Sequence, residues 1–420
     1  MIKKIITKIL ALEAKLALKK HKPKIIGITG SVGKSSAKEA IATVLESRFN
    51  IRKSAKSYNS ELGMALAVFG LKTAWNNPIG WIKNVISGFK EIFNQNFPKI
   101  LVLEMGVDRP RDFDKLLKIA RPDIGIITAL GEIPAHVEFF SGPEEIAGEK
   151  SKLIKNLPPE SWVILNFDDK KVWEMKLKTN ANVLSFGFVA GADISASNYK
   201  ISEDGVSFKM DYKGSSVPVR LKNVFGKHSA CAALSAAAVG VIFEMNLIEI
   251  SEAFSKYQAP PGRLRLLPGI KNSLILDDSY NASPLATEAA LDTLQELEAK
   301  RKLVAFGDML EIGKFTISAH QALGKKISKI ADYFVAVGPR ARFAAEEAIT
   351  HGMVKEQIAS FSESLEAATY LKSIIREGDL ILIKGSQAMR MEKIVEELMA
   401  HPEEAQNLLA RQDKYWKNKE

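Results

Sequence analysis

The stretch Lys24–Glu39, KIIGITGSVGKSSAKE, decides how the rest of the chain is read. Ile25, Ile26 and Ile28 form an apolar strand that runs into a turn carrying Gly30 and Gly33; Lys34, Ser35 and Ser36 follow, and a helix-forming run begins. A nucleoside triphosphate needs that order. Backbone N–H groups of the turn, and of the helix N-terminus behind it, point at the β- and γ-phosphates. Lys34 supplies a point charge, and the Ser35 hydroxyl can ligate Mg²⁺. The long form of the pattern asks for glycine where Ile28 stands; the shorter Gly30-x-x-Gly33-Lys34-Ser35-Ser36 is satisfied instead. A turn that only joined a strand to a helix would not need the Lys-Ser-Ser. ATP binding through Gly30, Ser31, Val32, Gly33, Lys34, Ser35 and Ser36 is therefore expected.

At 420 residues the chain suits two or three domains, and 46% hydrophobic with 26% charged residues describes an ordinary folded protein. Cys231 is the sole cysteine, so no internal disulfide framework exists, and a buried inert thiol in a reducing compartment fits it best. The net charge of +10 is unevenly spread: residues 1–24 hold eight lysines against Glu13. Nucleic-acid binding by the whole body is thus unsupported. Ile2, Ile5, Ile6, Ile9, Leu12 and Leu16 recur at helical spacing within this basic arm, which is too interrupted by charge to span a bilayer. Two readings of the arm compete: its apolar stripe docks on the body of the protein, or it lies on an anionic membrane surface. Trp75, Trp81, Phe89, Phe93 and Phe97 offer a second contact of the membrane kind, or core.

Apolar strand-like runs then alternate with helices at Ile51–Lys53, Ile100–Glu104, Ile124–Thr128 and Trp162–Asn166, the mark of a parallel sheet covered on both faces. Residues 183–220 alternate instead and predict a small antiparallel sheet appended to this first unit. The run Gln258-Ala-Pro-Pro-Gly-Arg263 breaks the chain, and beyond it a second, Rossmann-like α/β series places strands at Leu274–Asp277, Leu303–Phe306, Tyr333–Val337 and Leu380–Ile383. The expected organisation is a basic helix over 1–22, a P-loop domain over 23–258, a Rossmann-like domain over 262–401 and a polar tail over 402–420.

Ligands of open parallel sheets sit at the carboxyl ends of strands. Glu104 closes an apolar strand, where a carboxylate is costly unless paired, and with Ser35 it makes a reasonable Mg²⁺ pair. His136 follows the next strand. The second series ends its strands in Asp277-Asp278-Ser-Tyr-Asn281, Gly307-Asp308 and Lys384-Gly-Ser386, a polar face turned toward the phosphate loop across a hinge at Arg263.

These residues resemble those of the Mur ligase family, and within it the branch that adds D-alanyl-D-alanine to UDP-N-acetylmuramoyl-tripeptide. The likeness rests on Thr29-Gly-Ser-Val-Gly-Lys-Ser35, Tyr58-Asn-Ser-Glu-Leu-Gly63, Leu103-Glu-Met-Gly106, Ala135-His-Val-Glu138, Ile146-Ala-Gly-Glu-Lys150 and Gly226-Lys-His228. It continues through Gly262-Arg263, Asp277-Asp-Ser-Tyr-Asn-Ala-Ser-Pro284, Gly307-Asp-Met-Leu-Glu-Ile-Gly313 and Lys384-Gly-Ser-Gln-Ala-Met-Arg-Met-Glu392. The resemblance implies a cytoplasmic, monomeric, ATP- and Mg²⁺-dependent ligase of peptidoglycan-precursor synthesis. Such an enzyme phosphorylates a muramyl-peptide carboxylate and lets the amine of a dipeptide displace the phosphate. It also implies roles: Lys34, His136, Lys150 and Arg263 in catalysis; Ser35, Glu104 and His136 on Mg²⁺; Arg263 and Asp278 on the nucleotide; Asn59, Asn281, Lys384 and Ser386 on the substrates. Lys150 matches the lysine that the family carbamylates.

Three features depart from the family pattern. Ser229 and Ala232 stand where asparagines follow the Gly-x-His motif, and Gln387 where an arginine often follows Lys-Gly-Ser. The phosphate loop also starts close to Met1, so the sugar-nucleotide-holding N-terminal domain of the family is expected to be missing. Two alternatives stay open: a ligase acting on a lipid-linked donor at a membrane, through residues 1–20, and a nucleotide-binding partner subunit without ligase activity.

Overall fold

The computed structural model describes residues 2–55 and 60–417; Asn59 and the rest of 56–59 lie outside the described residues. Strands as apolar as Ile100–Glu104 are stable only when both faces are covered, and helices cover them here. In chain order, β1 (Lys24–Thr29), β2 (Ile51–Lys53), β3 (Ile100–Glu104), β4 (Ile124–Ile127), β5 (Trp162–Asn166) and β6 (Asn182–Gly187) pair in parallel. β7 (Ile194–Ser202), β8 (Gly205–Tyr212) and β9 (Ser215–Lys222) follow as an antiparallel run. The order across the sheet is β2-β3-β1-β4-β5-β6-β7-β8-β9. The antiparallel strands are thus not a separate sheet. They continue the main one, because β6 pairs onward with β7 through Phe186↔Ile194 and Gly187↔Ser195 instead of presenting open backbone at an edge.

β1 lies between β3 and β4, so the chain leaves its carboxyl end toward both sides of the sheet, and a crevice opens there. The helices are α1 (Ile2–His21), α2 (Lys34–Glu46), α3 (Glu61–Phe69), α4 (Pro78–Ile92), α5 (Asp112–Leu117) and α6 (Pro143–Lys155). On one face α2 packs against the alanine-rich helix Lys227–Ile242, whose small side chains allow close approach. On the other lie α3, α5 and α6. Gly27 and Gly125 are register neighbours on β1 and β4. A Cβ at Gly27 would stand 2.7 Å from Pro122 Cγ, and one at Gly125 3.0 Å from Ile154 Cγ2, so α6 lies directly on bare backbone.

The basic arm is a helix, but it docks mostly through residues its periodicity does not single out, with Ile6 alone of that stripe, among the described residues, packed against the body. Leu10, Ala14 and Ala17 are buried against α3 and α4, while Ile5, Ile9, Leu12 and Leu16 face outward. Of the aromatic residues that follow, Trp81 and Phe97 are core, and Trp75, Phe89 and Phe93 are exposed. Glu13 is buried beneath α4, and a Cβ on Gly88 would meet its Oε2 at 2.4 Å. Burial pushes its carboxyl up to about 7. Between the ordinary carboxyl range and that value the folded chain binds more protons than the unfolded one, so stability falls as pH rises through this window. Glu13→Gln is therefore expected to melt like wild type in mild acid and to be about 1 kcal/mol more stable above neutrality. Thermal melts across pH check this, and a difference that does not change with pH would refute it.

The second sheet has the order β10-β11-β15-β12-β13-β14, from β10 (Arg265–Pro268), β11 (Leu274–Asp278), β12 (Arg301–Gly307), β13 (Tyr333–Val337), β14 (Ile358–Phe361) and β15 (Asp379–Lys384). β10 is antiparallel to β11 and the rest are parallel. The short, half-exposed edge strands β10 and β14 carry too little apolar alternation to be read from sequence. Residues 402–417 do not fray as a polar tail would. Leu409 and Ala410 are buried, Arg411 pairs with Glu392 at 2.8 Å and donates to the Tyr280 carbonyl, and Tyr415 stacks on Trp75 of the first lobe. Among the described residues no helix is long and apolar enough to cross a membrane.

Candidate active site

The loop between β1 and α2 is a backbone cradle. Gly30 and Gly33 take φ of 147° and 87°, the region that favours glycine, and a Cβ at Gly30 would fall 2.1 Å from Thr128 Oγ1. The loop is pinned from β4: Ser31 and Val32 N–H donate to the Ala129 carbonyl, and Thr128 Oγ1 donates to the Val32 carbonyl at 2.6 Å. α2 then begins at Lys34 with no side-chain cap, which leaves its first N–H groups facing the crevice. Ser36 is buried in that first turn.

Two ammonium groups converge on one oxygen. Lys34 Nζ donates to the Gly30 carbonyl at 2.9 Å, and Lys150 Nζ, brought in by α6, donates to the same carbonyl at 3.0 Å. Desolvation holds both lysines below their ordinary values. For Lys34 the Glu104 carboxylate opposes the effect and Arg263 adds to it, whereas the charge of Lys34 presses Lys150 well down. A pair of mutually repelling cations beside a glycine loop and a helix N-terminus fits a triphosphate, whose charge relieves the repulsion.

Ser35 Oγ donates to Glu104 Oε1 at 3.2 Å, with Lys38 Nζ 3.7 Å from Glu104 Oε2. Among the described residues no three His, Cys, Asp or Glu side chains form a ready cation cage. That suits Mg²⁺, which keeps water and phosphate oxygens around one or two protein ligands. Ser35 and Glu104 therefore fit the ion. His136 is held differently: its Nδ1 lies 2.6 Å from Glu311 Oε2 of the second lobe and its Nε2 3.5 Å from Asp108 Oδ1. The His136 contact in turn holds the Glu311 carboxyl below its ordinary value.

A cleft of about 550 Å³ between the lobes brings together Ser31, Lys34, Glu104, His136, Arg263, Asn281 and Ser386. Arg263 enters it after Gly262, where φ is 69° and a Cβ would meet Tyr280 N at 2.9 Å, and its guanidinium lies 4.3 Å from the Tyr280 ring centroid. Ser386 accepts from Leu310 N–H at 2.8 Å. Asp278 and Lys384 do not reach the cleft as the resemblance implies. Parallel register sets them side by side on β11 and β15, and Lys384 Nζ bonds Asp278 Oδ2 at 2.5 Å and the Asn281 carbonyl at 2.9 Å, both side chains being buried. The pair positions Asn281 instead.

Sequence reasoning left Asp108, Glu311 and Asn166 unassigned. Asn166 ends β5 and lines a small recess beside Gly33 with Phe186, His228 and Cys231; its place at a strand end was the available signal. Burial pushes the His228 imidazole down to about 4, so it is neutral there. Ser229 turns away and donates to the Phe225 carbonyl.

A phosphate cradle at the switch point of one α/β lobe, faced by an arginine from a second, defines a two-lobed nucleotide-binding enzyme fold. The chain belongs to the Mur ligase family: residues 28–240 match the Mur ligase middle domain, and residues 262–387 the glutamate ligase domain of Mur ligases. The UDP-N-acetylmuramoyl-tripeptide–D-alanyl-D-alanine ligase of Bacillus subtilis is 29% identical over 397 residues, 93% of this chain and 79% of that protein. MurF of Acinetobacter baumannii superposes with a TM-score of 0.77 at 24% identity, covering 92% of this chain and 79% of that one. MurF ligase of Thermotoga maritima, solved with ADP, gives 0.76 at 24% identity, over 93% and 83%.

Proposed function

We propose that this chain is an ATP-dependent, ADP-forming amide ligase of peptidoglycan-precursor synthesis, joining a muramyl-peptide carboxylate to the amine of D-alanyl-D-alanine or a closely similar dipeptide. The convergence of Lys34 and Lys150 on the Gly30 carbonyl, opposite Arg263, carries this reading. Lys34 and the loop amides hold the β- and γ-phosphates, and Arg263 reaches the γ-phosphate from the hinge. Ser35 and Glu104 would hold Mg²⁺, which would supply neutralisation of the phosphate charge. His136, which lines the same cleft, would be a further ligand for such an ion. The purine lies in the recess of Asn166, Phe186 and His228, in place of the contacts that Ser229 and Ala232 do not supply.

Lys150 is poised for carbamylation, since burial and the neighbouring charge of Lys34 make its ammonium easier to deprotonate, and the neutral amine is the form that attacks carbon dioxide. Nζ bonds the carbon, a proton leaves to solvent, and the resulting carbamate sets a negative charge beside Lys34. Asn281, Ser386 and Gln387 line the wall where the dipeptide enters. ATP use and a nucleotide-sugar substrate place the reaction in the cytoplasm.

The test is ADP release with UDP-N-acetylmuramoyl-tripeptide and D-alanyl-D-alanine, alone and together, with the product weighed by mass spectrometry. Release that needs both, and a product heavier by the dipeptide less water, is expected. Bound ATP with no release for any pair in a panel of muramyl-peptides and dipeptides would refute the proposal.

A further inference from the structure

We propose that the outer faces of α1 and α4 together form a seat on an anionic bilayer surface. The two helices lie side by side. His21 Nε2 contacts the Ile92 carbonyl at 3.1 Å, Glu13 sits under Gly88, and Lys20 Nζ stands 4.4 Å from the Phe93 ring centroid. Each helix already spends one face on the protein: Leu10, Ala14 and Ala17 on α1, and Trp81, Gly88 and Ile92 on α4. Each then carries a second apolar stripe that is largely exposed. On α1 this is the outward set named above; on α4 it is Ile79, Ile82, Ile86 and Phe89, continued by Phe93, with Ile79 at 65% and Phe93 at 60% exposure. Surplus apolar faces of this extent on adjacent helices mark a contact surface.

Charge selects the occupant. Lys4, Lys8, Lys15, Lys19 and Lys20 on α1, and Lys83 and Lys90 on α4, are all exposed. The only carboxylates on the two helices are Glu13, buried between them, and Glu91, which turns inward to Arg52 Nη2 at 2.8 Å. The outer surface is therefore apolar and cationic, with no acidic residue. An amphipathic element lying in a lipid interface has this composition, with apolar side chains sunk at the acyl boundary and lysines at anionic headgroups. A second copy of the same face would set lysine against lysine. The seat also has a direction: Trp75, in the loop that leads into α4, lines the cleft between the lobes, so a seated molecule holds the mouth of its active site close to the membrane.

The experiment is flotation of the full chain with vesicles of phosphatidylcholine alone and of phosphatidylcholine mixed with phosphatidylglycerol, at low and high salt. Flotation with the anionic vesicles at low salt is expected, weakened by high salt. Ile82→Ser/Phe89→Ser and Lys15→Glu/Lys19→Glu should each reduce it about tenfold or more, with melting temperature and nucleotide binding kept, since all four side chains are exposed. A wild-type chain that floats with neither vesicle, or variants that float as well as wild type, would overturn the proposal. So would concentration-dependent self-association in ultracentrifugation that the same substitutions abolish, because a second copy would then own the face.

Discussion

Lys34→Ala is expected to lower the rate of ADP release by about a thousandfold or more, a loss of roughly 4 kcal/mol of transition-state stabilisation. In the proposed reaction Lys34 is the cation that the glycine loop presents to the phosphates, and its two cationic neighbours are held elsewhere. Lys150 is anchored by α6, and Arg263 enters from the opposite lobe. The fold should survive the change. Burial, with Arg263 adding to it, disfavours the Lys34 charge more than Glu104 offsets, so the nucleotide-free protein without it should melt no lower than wild type. Steady-state rates at saturating ATP, paired with melts in the absence of nucleotide, check both halves. Turnover within tenfold of wild type would remove Lys34 from the phosphate site.

Lys150→Ala is expected to be nearly as damaging, about a hundredfold or more in rate, while leaving nucleotide binding measurable. The methyl group leaves a void where the carbamate would stand, and a small carboxylate can enter it. Added formate or acetate should therefore restore part of the rate to Lys150→Ala and none to Lys34→Ala. Wild-type turnover in the variant would exclude Lys150 from the chemistry, and failure of every small acid to help would leave it a purely cationic role.

Local order explains what the sequence foretold. Strand, loop and helix between Lys24 and Glu46 are contiguous, so their order could be read directly, and Ser35 and Glu104 followed from the rule that ligands gather at strand ends. Long-range pairing was hidden. Asp278 and Lys384 each read as a binding residue, and only the register of β11 against β15 shows that they neutralise each other. Glu311 meets His136 across the two lobes, a distance in sequence that no local pattern spans. α1 misled for a different reason. It has two apolar faces, and the bulkier one, which dominates any periodicity, is the one that faces outward. The strands β7–β9 alternated as predicted, but alternation along a strand says nothing about which edge that strand joins.

The two facing glycines beneath α6 give the reaction a dependence far from its own atoms. A single methyl group at Gly125 would have to push back Ile154, and the helix that owns it is the same rod that carries the amine of Lys150 to the loop. Raising that rod by a fraction of its width would retract the amine from its oxygen without touching any residue a substrate meets. Tolerance to change in this enzyme is thus set partly by the thickness of a joint in its frame.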